Sequence, residues 1–228
     1  MKTKLFHLLT QKYSIIAILL ISSILSLTID RNIGFFFGLG VVIFITHQRK
    51  WDWCSLGMYQ KLSLKTVLNS IWMTLGLVII AIVSDIYIEH YFGKSDISSL
   101  EGIQGNFISY LIMLIVVWVF AAFGEEILFR GYYMKGLAEL MGGSKKAWYL
   151  SMFIMSVYFG ISHAYLGLSG VIGVTIIGLF FAFVFYKNQK NLTLLVLIHG
   201  FYDTVGITLI YLGKYDTLFE ELEHVLLN

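Results

Sequence analysis

The sequence contains no proline and a single cysteine, Cys54, among its 228 residues. One cysteine excludes an intrachain disulfide framework and a metal cluster built on cysteine. Because proline is absent, a break in a helix has to come from glycine, as at Gly142-Gly143 and Gly167. Glycine therefore marks the predicted joints of this chain.

Charged residues are also scarce: they make up 13% of the sequence, whereas 58% of the residues are hydrophobic. Soluble domains are about a quarter charged. The composition therefore predicts an all-α protein that crosses a membrane several times. The net charge is only +2 and its basic residues are scattered, so we expect no nucleic-acid partner.

Apolar runs predict about seven transmembrane helices in one integral domain. A short basic segment with Lys2, Lys4 and Lys12 precedes the first run, which we interpret as a retained span because no cleavage site follows it. The predicted spans cover residues 13–29, 33–46, 66–88, 106 into the paired glutamates, 147–163, 168–186 and 192–212.

The loops predict how the spans are oriented. Residues 48–65 are basic and carry tryptophan, and further basic clusters follow residues 129 and 186, which is typical of the cytoplasmic side. The acidic residues 89–104 are expected outside. The amino terminus is therefore predicted to be cytoplasmic and the acidic tail, 213–228, external. Residues 1–105 carry no motif and are interpreted as a scaffold, and residues 106–212 as the catalytic core.

Residues 123–131 hold three charges directly after the charge-free run 107–123. A charge at bilayer depth costs about 2.5–3.5 kcal/mol, so this stretch predicts a functional site. Glu126 and Arg130 are four residues apart, share a helix face and predict an ion pair. Glu125 points about 100° away on an α-helical wheel. We therefore expect Glu126 to be structural and Glu125 to carry chemistry.

Two further polar groups lie in later apolar runs. His163 follows Phe159 by four residues, and His199 and Asp203 are four apart on one helix face. Two histidines and a carboxylate can bind zinc, which predicts His163, His199 and Asp203 as metal ligands. Glu125 would then take a proton from water. Without a metal, Glu125 can still activate water while the histidines stabilise the oxyanion. Both routes lead to amide hydrolysis.

Each group also has a structural interpretation. A lone membrane histidine commonly joins two helices by a hydrogen bond, and an ion pair four apart neutralises charge. Two other classes of function stay open: a non-hydrolytic binding, immunity or regulatory protein that uses the same pocket, and a small transporter with a proton relay.

The three motifs together resemble the CAAX protease and bacteriocin-processing family, which includes the type II CAAX prenyl endopeptidases. The Glu-Glu-x-x-x-Arg motif starts at Glu125, Phe-x-x-x-His starts at Phe159, and His-x-x-x-Asp starts at His199. The resemblance implies an intramembrane protease, often labelled a metalloprotease, whose site is formed by the fourth, fifth and seventh helices. It also implies a membrane-associated peptide or protein substrate. The short loops and the lack of a sorting signal in the sequence fit a bacterial plasma membrane, which we expect as the location.

The resemblance further implies a role for each residue. Glu125 would be the general base for water, and His163 and His199 would bind zinc or stabilise the oxyanion. Asp203 would assist the histidines, and Glu126 with Arg130 would hold the site together. Zinc and a metal-free glutamate route both remain open, and prenylated substrates are not assumed.

Helix length sets one more expectation. His163 lies well along its predicted span, about 24 Å at 1.5 Å per residue, whereas Glu125 lies at the end of its own. We therefore expect the fourth helix to carry its motif away from its end, or the fifth to begin in the cytoplasm. Gly142-Gly143 would be the joint between them.

Overall fold

The computed structural model describes residues 4–227, which form helices and short connections with no β-strand in that range. Lys2 of the predicted basic segment and the last residue of the predicted tail lie outside the described residues. The predicted all-helical class is confirmed.

A helix occupies each predicted span, and further short helices lie before, between and after the spans. In chain order these are α1 Lys4–Leu9, α2 Ser14–Thr28, α3 Arg31–Gln48, a 3-10 helix Trp53–Leu56, α4 Leu64–Phe92, a 3-10 helix Ser98–Ile103, α5 Phe107–Val116, a π-helix Val117–Met134, α6 Lys135–Leu140, α7 Lys145–Ser162, a 3-10 helix Ala164–Leu166, α8 Gly167–Lys187, α9 Leu192–Tyr211 and α10 Tyr215–Leu227.

Four helical segments within residues 4–227 are long and apolar enough to cross a membrane. They are Leu64–Phe92, Phe107–Leu140, Ala164–Lys187 and Leu192–Tyr211, while Ser14–Thr28 is apolar but shorter. About 20 apolar residues are needed to span the hydrocarbon core. The protein is therefore an integral membrane protein, and the count of seven spans stays a prediction.

Side-chain caps explain where several helices begin. Asp30 accepts a hydrogen bond from the Asn32 backbone N–H at 2.8 Å before α3. Asn106 accepts one from the Ser109 backbone N–H at 3.1 Å before α5. Such caps satisfy amides that lack an intrahelical partner. The predicted start near residue 106 therefore has a local chemical cause.

The fourth predicted span continues past the glutamates and ends at Leu140. Gly142 and Gly143 follow with positive φ angles of 93° and 67°, which a residue with a side chain rarely adopts. The Gly143 N–H donates to the Ala138 carbonyl at 2.8 Å and closes the helix end. The predicted glycine joint is confirmed, and Glu125 lies inside a 34-residue helix rather than at its end.

The described residues form two compact units that interleave along the chain. The first comprises residues 4–61, 124–155 and 182–193, and the second residues 62–123, 156–181 and 194–227. The predicted boundary at residue 105 marks the point in the sequence after which the motifs occur. The two compact units do not test it, so it stays a prediction.

In the first unit, buried hydroxyl groups connect helices that are distant along the chain. Ser22 and Tyr133 share a buried hydrogen bond of 2.8 Å between their hydroxyl groups. The Ser151 hydroxyl donates to the Met134 carbonyl at 2.6 Å. These bonds fix α2 and α7 against the second half of the helical segment Phe107–Leu140, which we call the long helix.

In the second unit, polar contacts join α9 to its neighbours. The Trp118 indole N–H donates to Thr204 at 3.2 Å, and the Thr74 hydroxyl donates to the Ile198 carbonyl at 3.3 Å. These bonds hold the helix that carries His199 against α4 and the π-helix.

Candidate active site

The Glu-Glu-x-x-x-Arg motif lies in the π-helix Val117–Met134. π-Helices close their hydrogen bonds between residues five apart, usually over a single turn, and often occur at functional sites. This winding is wider than the α-helical wheel used in the sequence-based prediction. It nevertheless keeps Glu126 and Arg130 on one face, because their side chains are in contact.

Glu126 and Arg130 form the predicted ion pair. Arg130 Nη1 donates to Glu126 Oε1 at 2.9 Å, and the side chains of Arg130 and Glu126 are 3% and 0% exposed. Removing one partner of so deeply buried a pair would leave an uncompensated charge in the interior. Both residues lie in the first unit, and the structural role of the pair stays a prediction.

Glu125 lies in a different environment from its neighbour. Its side chain is half-buried, whereas that of Glu126 is fully buried. This difference is consistent with the predicted division of labour between the two carboxylates.

His163 directly follows α7. Its Nδ1 lies 2.9 Å from the Phe159 carbonyl oxygen and 3.2 Å from the Ser162 hydroxyl. A carbonyl oxygen can only accept, so Nδ1 carries the proton and Nε2 of the neutral ring carries the lone pair. The Phe159 carbonyl thus sets the tautomer of the neutral His163 ring.

His199 and Asp203 pair on α9, as predicted. His199 Nε2 lies 3.3 Å from Asp203 Oδ2, and the side chains are 6% and 22% exposed. A carboxylate beside one ring nitrogen can fix the orientation of an imidazole. The contact is the one that the predicted assisting role of Asp203 requires, and that role stays a prediction.

Phe159 lies between the two histidines. Its ring centre is 4.8 Å from that of His163 and 6.5 Å from that of His199, and Phe181 packs 4.7 Å from the His199 ring. The second unit therefore brings His163, His199 and Asp203 into one neighbourhood. Glu125 belongs to the first unit, so its meeting with the histidines stays a prediction.

The predicted zinc ligands do not form a three-donor metal site in the described residues. Among residues 4–227, no group of three His, Cys, Asp or Glu side chains is arranged to hold a metal ion. Asp203 contacts His199 in the manner of a residue that orients a ligand. Zinc stays a prediction from the resemblance, and no step below is routed through it.

Two glycines near the histidines allow helices to approach closely. A Cβ atom at Gly160 would overlap the Val171 carbonyl and the Thr175 side chain of α8. A Cβ atom at Gly200 would lie 2.6 Å from the Trp118 ring. Real Cβ atoms do not come this close, so both positions require glycine.

The sequence analysis missed one polar residue, Asp85 of α4. Its carboxylate lies at Gly173 of α8, where a Cβ atom would be 2.6 Å from Oδ1. It is also an electrostatic neighbour of Tyr202 and Tyr215; burial raises the pKa of Tyr215, and the charges of Asp85 and Glu89 raise it further. The missed signal was a lone carboxylate in an apolar run, which marks a functional candidate.

Comparison with known proteins supports the motif assignment. Residues 107–205 match the family described as Rce1-like type II CAAX prenyl endopeptidases, a segment that contains all six candidate residues. The predicted resemblance is confirmed over this segment.

A relative from Mycoplasma capricolum subsp. capricolum, described as an uncharacterized protein, is 31% identical over 108 residues. That alignment covers 46% of this chain and 30% of the relative, so the chain matches less than a third of the relative's length. No solved structure matches the chain.

Proposed function

We propose that this chain, with its Rce1-like segment at residues 107–205, is an intramembrane endopeptidase that hydrolyses a peptide bond of a membrane-associated protein or peptide. The observation that carries the proposal is that one family match contains all three motifs, including the buried ion pair and the oriented His199.

Glu125 is the proposed general base. Its carboxylate takes a proton from a water molecule as the water oxygen attacks the carbonyl carbon of the peptide bond. The carbonyl π-electrons move to oxygen and form a tetrahedral oxyanion. When the carbon–nitrogen bond breaks, the protonated Glu125 returns the proton to the leaving amine. Atoms and charges balance, and Glu125 is restored.

The histidines are the proposed partners of the oxyanion. His163 can use Nε2, because Nδ1 donates to the Phe159 carbonyl, and His199 can use Nδ1, because Nε2 faces Asp203. Each ring donates to the oxyanion when it carries protons on both nitrogens. Donors fixed in advance stabilise developing charge without reorganisation in the transition state. The aromatic rings beside them reduce the water available to compete.

The proposed placement in the membrane has seven spans, a cytoplasmic amino terminus and the bacterial plasma membrane as its location. The loop charges support it. Cys54 provides a test, because it is exposed and is the single cysteine of the sequence. A membrane-impermeant maleimide should label Cys54 in permeabilised cells and leave it unlabelled in intact cells. Labelling in intact cells would reverse the proposed orientation.

The test of the activity replaces Glu125 by Gln, which keeps the size of the side chain and removes the base. Peptides should be compared between cells that carry the wild type, Glu125→Gln, and Glu101→Gln as a control at an exposed carboxylate. We expect specific cleavage products to disappear only in Glu125→Gln, at an equal level of folded protein.

Other results would favour another class. Unchanged peptides with a retained cellular phenotype would identify a non-hydrolytic binding protein. Proton-dependent uptake by proteoliposomes would identify a transporter. The zinc prediction has a separate test, since elemental analysis of the purified protein before and after a chelator measures bound metal directly.

A further inference from the structure

A cavity of about 360 Å³ lies in the first unit, and none of the six candidate catalytic residues lines it. Its walls come from the α1–α2 turn, the carboxyl-terminal end of α3, the 3-10 helix Trp53–Leu56 and the last turns of the long helix. Small-molecule sites commonly measure about 300–1,000 Å³. The cavity is large enough for a ligand or part of one.

The polar lining of the cavity is strongly cationic. Lys12, Arg49 and Lys135 line it together with one carboxylate, that of Glu139. Lys135 is already engaged, since its Nζ donates to the Ser55 carbonyl at 2.5 Å and lies 3.9 Å from Glu139. Among residues 4–227, neither Arg49 nor Lys12 has a carboxylate partner. The cavity therefore carries an excess of positive charge.

The remaining wall of the cavity is apolar. Ile15, Val42 and Ile45 line it and are almost fully buried, with exposed fractions of 9%, 1% and 5%. Cationic groups beside a buried apolar wall suit an amphipathic ligand whose anionic end meets the cations. A purely polar metabolite would leave this wall without a partner.

The lining also comes from three stretches that the loop charges assign to one side of the membrane. These stretches are the basic amino-terminal segment, the connector at residues 48–65 and the basic residues after Arg130. The cytoplasmic leaflet carries anionic lipid, and each nearby Lys or Arg adds attraction. Chain segments far apart in sequence therefore converge on a site that faces anionic headgroups.

We propose that this cavity binds a phosphate group and that its source is the headgroup of an anionic phospholipid. Arg49 holds the phosphate oxygens through its planar guanidinium, and Lys12 provides a second cation. The apolar wall contacts the start of an acyl chain. Free phosphate shares the same anionic chemistry, and the experiment separates the two sources.

The full chain should be reconstituted in nanodiscs of phosphatidylcholine with phosphatidylglycerol, and retained lipid measured by native mass spectrometry. Wild type should retain phosphatidylglycerol. The double variant Arg49→Gln, Lys12→Gln should bind it about tenfold more weakly or worse, because it loses charge-assisted contacts. Lys146→Gln, at an exposed lysine outside the cavity, is the matched control and should behave as wild type.

A second arm titrates inorganic phosphate into nanodiscs of phosphatidylcholine alone while thermal unfolding is followed. Stabilisation by phosphate without retention of phosphatidylglycerol would keep the phosphate site and assign it a soluble source. Equal loss of lipid in Lys146→Gln and in the double variant, or unchanged retention in the double variant, would overturn the site. Arg49→Lys keeps the charge and controls for folding; it should retain part of the lipid.

Discussion

Glu126–Arg130 and His199–Asp203 are both spaced four residues apart in apolar helices, yet their surroundings differ. The first pair is 2.9 Å apart with side chains 0% and 3% exposed, and the second is 3.3 Å apart with side chains 6% and 22% exposed. Loss of one member of a fully buried pair should destabilise the protein, because the remaining charge has neither a partner nor solvent. In the second pair, Asp203 keeps some contact with solvent, so its loss should cost less stability.

The largest effect is expected at Arg130. Arg130→Leu leaves the Glu126 carboxylate buried without its cation and should cost about 3–5 kcal/mol of stability. The measurement is thermal unfolding of the purified protein. The double variant Glu126→Leu, Arg130→Leu removes both charges and should recover much of the loss. A single variant as stable as wild type would show that the pair is not structural.

The His199–Asp203 pair should respond more strongly in activity than in folding. Asp203→Ala releases the His199 ring and should lower cleavage about a hundredfold, as the misplacement of a catalytic group can. Because the His199 ring is buried, the loss of its partner should also cost about 1–3 kcal/mol of stability. Asp203→Asn is the matched variant, since it keeps the size of the side chain and its amide oxygen still accepts from the ring. If Asp203→Asn fails like Asp203→Ala, charge rather than orientation matters.

A steric change should have an intermediate effect. Gly200→Ala pushes a methyl group into the Trp118 ring and should cost about 1–3 kcal/mol. Gly206→Ala on the same helix meets no atom within 4 Å and should be neutral or stabilising. Equal unfolding temperatures for the two variants would contradict the tight contact at Gly200.

The smallest effect belongs to an exposed ion pair outside the motifs. Lys94 and Glu220 are 3.4 Å apart with side chains 69% and 65% exposed. Glu220→Gln should change stability by less than about 1 kcal/mol, because solvent screens such pairs. A loss of stability as large as that of Arg130→Leu would show that burial does not determine how much an ion pair contributes.

Local patterns in the sequence were enough to predict part of this site. The apolar runs placed the helices, and spacing of four predicted the Glu126–Arg130 and His199–Asp203 pairs because helical neighbours are set by local geometry. The tautomer of His163 could not be predicted from the sequence, because it depends on the position of the Phe159 carbonyl beside the ring.

Other features depend on contacts between distant segments. The approach of Asp85 to Gly173 and the cationic cavity of the first unit arise only when helices pack. The π-helical winding of Val117–Met134 could not be predicted either, since its apolar sequence suits an α-helix equally well. Composition alone cannot select among such packings.

Phe159 has a consequence beyond filling space. Its ring contacts both imidazoles from one side chain, so its width fixes how far apart the two proton-bearing rings stand. A narrower side chain at this position would let the histidines drift independently. Phe159 thus acts as a spacer that sets the distance between the two imidazole rings.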